Sequence, residues 1–376
     1  MSYILLNGAT GLLGRYLMRD LLLKEQPLAV LVRKSRRESP RERIEAAMRT
    51  WDQTLGRELP RPVVLAGDIS QPDLTLSAED QRWVRDNCDG MLHNAASLSF
   101  VTTGRQAEPY KTNVDGTRNV LDFCEHNGIR KFFHVSTAYV CGKRTGRILE
   151  SELNEGQEYA NCYEESKVES EEMVRGARAL DGVTVFRPAI IIGDSHTGVT
   201  FTYHNFYWLL QLAYSLVNGM GEMDFTGKIP AHMVKFNVDG TERKNLVPVD
   251  WVSEAMSRII VDPRLHGETY HLTPRIPVNM RLVLDVVEET VGFYGTGFYG
   301  AGDRREGAHE AEDLFHQQMA VYQSYWRDDP TFDSTNISRA LPDLPCPHVD
   351  RTMLKQLSRV AIENRFRWKD AVAAEA

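Results

Sequence analysis

The sequence predicts an α/β fold: a doubly wound, Rossmann-type parallel sheet with a smaller, mainly helical C-terminal region. Three observations predict it. Short apolar runs at Tyr3–Leu6, Leu28–Val32, Val63–Ile69, Gly90–Ala96 and Lys131–Thr137 alternate with helical patterns. A glycine-rich turn joins the first run to the first helical pattern. At 376 residues the chain exceeds one doubly wound sheet, so a second region is expected. The expected division is 1–195 plus about 245–275 for the sheet domain, and about 196–244 with 276–376 for the other.

The first turn reads Asn7-Gly8-Ala9-Thr10-Gly11-Leu12-Leu13-Gly14, with glycines spaced G-x-x-G-x-x-G. Such spacing allows a tight turn, close backbone approach to a pyrophosphate and a helix N-terminus aimed at negative charge. Gly8, Thr10, Gly11, Leu12, Leu13 and Gly14 are therefore candidate dinucleotide contacts, against the plainer reading of a turn between two packed elements. The second run ends at Arg33, about 20 residues after the last glycine, where a nucleotide ribose would lie. A carboxylate there would favour NAD. Arg33, Lys34, Arg36 and Arg37 with no acid before Glu38 favour NADP instead, although the last two also suit a solvated loop.

Asp68 and Ile69 end the third run. Asp68 is placed to meet an adenine amino group or merely to cap the next turn. Asn94, Ala95 and Ala96 end the fourth, where small side chains let a ribose approach the backbone, and His93 reads as a packed strand residue rather than a ligand. Asn113 opens the next helical pattern, as an ordinary N-cap or as a tie to the site. Ser136 and Thr137 end the fifth run, at the carboxyl edge where ligands of such sheets bind. Tyr163 and Lys167 follow, four apart on a predicted helix and hence on one face. A fixed cation beside a phenol is expected to lower its pKa and make it a proton shuttle. The strand-end hydroxyl would polarise a carbonyl, the tyrosine would carry the proton, and the lysine would anchor a nicotinamide ribose.

Composition narrows the function classes. A formal charge of −8 and a pI near 5.8 argue against nucleic acid as a partner. Five scattered cysteines without C-x-x-C spacing suggest a reducing compartment and no zinc site. The dispersed histidines suggest no metal site of any kind. The first residues enter the fold directly, leaving no expected signal peptide, and no run of about 18 apolar residues predicts a membrane span. A cytoplasmic protein, monomeric or homodimeric, is expected.

These motifs in this order resemble the extended short-chain dehydrogenase/reductase superfamily over residues 1 to about 275. The resemblance rests on the glycine turn, Gly67-Asp68, His93-Asn94-Ala95-Ala96, Asn113-Val-Asp-Gly-Thr117, Val135-Ser-Thr-Ala-Tyr139, Tyr163-x-x-x-Lys167 and Arg187-Pro188. It implies that Thr137 rather than Ser136 is catalytic, with Tyr163 and Lys167, and that Pro188 borders the nicotinamide. Within the superfamily the chain is similar to the male sterility type, on Ser136–Val140, Arg187–Ser195 with Thr197-Gly198, and Asn245–Val252. That likeness implies NAD(P)H-dependent reduction of an acyl thioester, CoA-linked or carrier-linked, to an aldehyde or alcohol. The alternative is a ketone reductase or alcohol dehydrogenase acting on a hydrophobic, steroid-like metabolite.

The remainder bears on substrate. The aromatic helical pattern at Phe201–Val217 suits an apolar channel, a dimer contact or plain core. Gly292–Gly300, a doubled aromatic-glycine unit, suits a loop closing on a hydrophobic ligand or touching a membrane surface. A charged loop at Arg304–Glu312 and helices at Leu314–Trp326 and Met353–Ile362 complete the expected substrate-binding cap, with an N-cap-like Asp333–Asn336 between them.

Overall fold

In the computed structural model the described residues are 2–219, 234–236, 238–292, 294, 296–298, 300, 317 and 325–366. The expected loop at 304–312, nearly all of the pattern at 314–326, parts of 292–300, and His232, His309 and His316 lie outside them. The chain divides into two compact units: 1–189 with 249–273 and 332–345, and 190–248 with 274–331 and 346–376.

The first unit is built on seven parallel strands: β1 (Tyr3–Asn7), β2 (Leu28–Val32), β3 (Val63–Ala66), β4 (Cys88–His93), β5 (Lys131–Val135), β6 (Gly182–Pro188) and β7 (Thr269–Leu272), in the order β7-β6-β5-β4-β1-β2-β3. The order reverses between β1 and β4, the crevice where doubly wound sheets bind ligands. Every residue of β2 is buried, as the unbroken run Leu-Ala-Val-Leu-Val requires of a strand covered on both faces. The strands stop short of the apolar runs, so Asp68, Asn94–Ala96 and Ser136–Thr137 sit just beyond their carboxyl ends.

Around the sheet run α1 (Leu12–Leu23), α2 (Pro40–Leu55), α3 (Ala78–Asn87), α4 (Gly116–Asn127), α5 (Cys162–Gly176), α6 (Val249–Val261) and α7 (Thr335–Ala340). Local signals start and stop several of them. Ser39 and Glu42 close a capping box on α2, Pro40 occupies its first turn, and Gly56 ends it in the left-handed region at φ 65°. Ser253 on α6 donates to Asp20 on α1 at 2.6 Å, and Lys24 pairs with Glu254 at 2.7 Å.

In the second unit, Ile190–Ile192 pairs in parallel with Leu246–Pro248. Helices Phe206–Gly219, Met280–Val291 and Arg351–Glu363 share one apolar core containing Phe206, Tyr207, Leu210, Leu284, Val287 and Leu357. The buried aromatic residues of the first of these helices are therefore core. Asp329 accepts from the buried Lys244 ammonium at 3.1 Å and from the Asn245 amide at 3.0 Å, fastening its own segment to this unit. The Asp333–Asn336 signal works differently from a simple N-cap: Ser334 makes no capping bond, while the Asn336 amide donates to buried Glu150 at 2.8 Å.

Candidate active site

The glycine turn follows β1 and splits into two kinds of position. A Cβ added to Gly8, which has φ +70°, would lie 2.8 Å from the Ala95 nitrogen, and one on Gly14 would lie 2.0 Å from the Gly8 oxygen. These two glycines let turn, helix and the end of β4 pack together. A Cβ on Gly11 would meet only ordinary contact, at 3.5 Å. Gly11 is the N-cap of α1, contributes no side-chain cap, and no acid stands in that helix's first turn. The first-turn amides, at Leu12 and Leu13, thus have neither a cap nor a repelling carboxylate, an arrangement that fits a pyrophosphate.

Other expected contacts gather around this turn. Asn94 Nδ2 donates to the Gly8 oxygen at 3.1 Å, and the Asn94 and Ala95 amides donate to Asn7 Oδ1 at 2.9 and 2.7 Å. Ala96 follows, exposed. Asp68 accepts from the Ser70 amide at 2.9 Å, capping its own turn, and the Ile69 carbonyl accepts from Asn119 at 2.8 Å. Arg33 is exposed at the end of β2. A second cation, which the sequence did not reveal, stands beside it: Arg43 on α2 donates to Thr10 Oγ1 and to the Arg33 carbonyl, each at 3.0 Å. The capping box just upstream was the available signal, since it puts Arg43 one turn into α2.

Beyond β5, Thr137 caps the short turn Ala138–Cys141. Its hydroxyl accepts from the Tyr139 amide at 3.2 Å and donates to the Pro188 carbonyl at 3.4 Å, which brings Thr137 and Pro188 together. Across from it, α5 starts sharply. Asn161 accepts from the Glu164 amide at 3.1 Å while Glu164 accepts from the Ala160 amide at 2.8 Å. That reciprocal cap fixes Tyr163 in the first turn, with its hydroxyl hydrogen-bonded to Thr137 and its ring against the Phe100 edge at 5.8 Å. One turn on, Lys167 is buried and donates to the Val135 carbonyl at 2.9 Å. Asn113 is not an N-cap. It sits in a π-helical turn, Lys111–Asp115, that runs into α4, and its side chain bonds Ser97 and Ser166.

One expectation is corrected. The spacing of Tyr163 and Lys167 predicts a lowered tyrosine pKa, but burial dominates and raises it, with the Thr137 hydrogen bond opposing. One Lys167 N–H is directed to the Val135 carbonyl, and burial lowers the lysine's own pKa to about 8, against the pull of Glu171. A phenol kept protonated is the form that gives a proton away, as a reduction requires.

The sequence also gave no sign of what holds this corner. Glu171, one turn beyond Lys167, accepts from Arg187 Nη2 at 2.7 Å and Nε at 3.1 Å, and both side chains are fully buried. Arg187 Nη1 donates on to the Glu152 carbonyl at 2.7 Å, and Arg175 closes on Glu171 at 2.7 Å. Arg187 is therefore a bracket between β6 and α5, next to Pro188. The partner 16 residues away left no trace in the sequence.

Fold and site together define an oxidoreductase of the extended short-chain dehydrogenase/reductase type, using a nicotinamide cofactor. The family model described as male sterility protein, of NAD-binding type, matches residues 6–256, and the chain belongs to that family. A nonribosomal peptide synthetase of Aspergillus flavus is 28% identical over 295 residues, 73% of this chain but 26% of that protein. Fatty acyl-CoA reductase 1 of Rattus norvegicus is 34% identical over 152 residues, 38% of this chain and 29% of the other. The chain thus spans less than a third of the length of either relative. Among solved structures, the terminal R domain from the myxalamid PKS-NRPS pathway superposes with a TM-score of 0.78 at 25% identity, covering 97% of this chain and 92% of that one. Among the described residues no helix is long and apolar enough to cross a membrane.

Proposed function

We propose that this protein is an NADPH-dependent reductase of acyl thioesters, releasing an aldehyde from a CoA-linked or carrier-linked acyl chain. The observation that carries the reading is the convergence of Thr137, Tyr163 and Lys167 at the carboxyl end of β5, in a chain similar to synthetase and acyl-CoA reductase segments. Support for a large apolar substrate comes from the loop after β4. Leu98 and Val101 are 52% and 66% exposed, and they flank the Phe100 ring that touches Tyr163. Exposed apolar side chains beside a reactive phenol suit an acyl chain. To the second unit we assign a substrate-binding role.

When bound, the cofactor would supply a hydride for the thioester carbonyl carbon. Gly11, Leu12 and Leu13 would hold its pyrophosphate, Arg33 with Arg43 a 2′-phosphate, and Lys167 with Pro188 the nicotinamide end. Thr137 turns its single hydroxyl hydrogen from the Pro188 carbonyl to the substrate carbonyl oxygen. Tyr163 gives its phenolic proton to that oxygen as the C–H bond forms, leaving a neutral hemithioacetal. The carbon–sulfur bond then breaks, the hydroxyl proton leaves with the thiol, and an aldehyde remains. Lys167 offsets the negative charge left on the phenolate.

The test is NADPH consumption with long-chain acyl-CoAs, aldehydes and hydrophobic ketones, with trapping of the aldehyde product. Turnover with acyl thioesters, and free thiol released in step, is expected. Oxidation with ketones and none with thioesters would reject the thioester reading in favour of ketone reduction.

A further inference from the structure

A chain of buried polar side chains runs from the glycine turn to α5, and its centre is a histidine that the proton chemistry does not use. Asn7 Oδ1 receives two backbone N–H groups, from Asn94 at 2.9 Å and Ala95 at 2.7 Å, so that atom is the oxygen and the amide nitrogen faces the other way. The amide nitrogen lies 2.7 Å from His93 Nδ1 and has only hydrogens to offer. Nδ1 must therefore be the accepting nitrogen, and the ring's proton must sit on Nε2. Nε2 is 2.9 Å from Thr117 Oγ1, whose own hydrogen is committed to the Asn113 carbonyl at 2.6 Å. Asn113 carries the chain onward, donating to Ser166 Oγ at 2.9 Å, and Ser166 donates to the Tyr163 carbonyl at 2.8 Å. Every hydrogen in the series has one consistent direction. Asn7, His93, Asn113, Thr117 and Ser166 are all at most 2% exposed, so water cannot substitute for a lost partner.

We propose that His93 is a positioning residue: as a neutral Nε2–H imidazole it ties the cofactor turn to the π-helical turn at Asn113 and through it to the helix carrying Tyr163 and Lys167. Three observations support it. Histidine is the only side chain type that offers one acceptor and one donor nitrogen in a rigid ring. A second proton on Nδ1 would confront the Asn7 amide hydrogens, and burial with the nearby Lys167 charge holds the ring's pKa down to about 3. His134 stacks on the ring at 5.6 Å and is itself held neutral by burial, so it adds no charge beside His93. The role rests on the reading of Tyr163 and Lys167 as the proton-transferring pair.

The experiment compares His93→Phe, which keeps ring volume without either bond, with His93→Gln, whose planar amide can accept from Asn7 and donate to Thr117. Thr117→Val removes only the hydroxyl, and serves also if His93→Phe fails to fold. A displacement of order 1 Å at the reacting groups lowers kcat roughly 100-fold, so His93→Phe is expected to fall about 10- to 100-fold. His93→Gln should recover to within about 5-fold, and the His93→Phe/Thr117→Val double variant should be no slower than the worse single one. Equal losses in the Gln and Phe variants, or strictly multiplicative losses in the double variant, would overturn the proposal. Nitrogen NMR of the full protein gives an arm independent of turnover: a single Nε2–H tautomer that does not titrate between about pH 5 and 8 is expected, and an Nδ1–H or protonated ring would refute it. Full activity of Tyr163→Phe would instead defeat the functional reading, whatever tautomer His93 shows.

Discussion

Lys167 offers the most discriminating perturbation, because burial puts its titration inside the accessible pH range. Its ammonium is buried, donates to Val135 at 2.9 Å, and has its pKa lowered to about 8. The proposed reduction requires this group charged, to offset the phenolate, and Tyr163 protonated. Below about pH 7 both conditions hold, and kcat/KM should be level. At pH 9 only about a tenth of a group with pKa near 8 remains protonated, so kcat/KM should fall about tenfold from its value at pH 7. A lysine titrating at the ordinary value of about 10.4 would lose less than about a tenth of its charge at pH 9. Stability moves the opposite way. The folded pKa lies below the unfolded one, so between about pH 8 and 10.5 the unfolded chain binds more protons and stability rises with pH. The gain amounts to about 3 kcal/mol across that window, because one proton bound only by the unfolded chain is worth about 1.36 kcal/mol for each step of one in pH. Wild-type and Lys167→Met proteins, melted in parallel at about pH 7 and 10, should therefore differ by about 2.5 kcal/mol more in the wild type's favour at the higher pH. A flat kcat/KM between about pH 7 and 9 with saturating NADPH, or a stability difference independent of pH, would refute the assignment of a buried, catalytically required ammonium.

Further outcomes follow from the same geometry. Tyr163→Phe removes the proposed proton donor, so kcat should fall about 10²- to 10⁴-fold while NADPH affinity, read by fluorescence, stays unchanged. Arg33→Asp combined with Arg43→Ala should shift the NADPH/NADH preference toward NADH by about 100- to 10,000-fold, from the loss of two charge-assisted bonds worth about 1.5–3 kcal/mol each, measured as the ratio of kcat/KM for the two cofactors. Glu171→Gln leaves the fully buried Arg187 without its counter-charge and should cost about 3–5 kcal/mol in denaturant unfolding; an exposed-pair value below about 1 kcal/mol would contradict the bracket. Leu98→Asp and Val101→Asp should raise KM for long acyl chains and leave short ones unaffected, as steady-state kinetics across chain lengths would show.

The sheet and its cofactor crevice were legible because their causes are local. Leu28–Val32 can satisfy five consecutive apolar side chains only inside a covered sheet, and Gly8 and Gly14 mark places where a Cβ has no room. Tyr163 and Lys167 were readable for the same reason, since a helix started by Asn161 and Glu164 fixes their common face. What residue spacing could not supply was the surroundings. Whether a phenol is acidified or kept protonated depends on how deeply it is buried and on where its neighbour's hydrogen bond goes, and here the lysine is turned to Val135. Arg43 reaches Thr10 from 33 positions away, Arg187 meets Glu171 from another element, and His93 joins Asn7 to Thr117 across the sheet. The sequence by itself determined the sheet, the glycine turn and the common helix face of Tyr163 and Lys167, because helix and strand periods are properties of neighbouring residues. Only the tertiary structure decided the protonation states and the brackets that hold those side chains, because desolvation and long-range hydrogen bonds exist only once distant segments have been brought together.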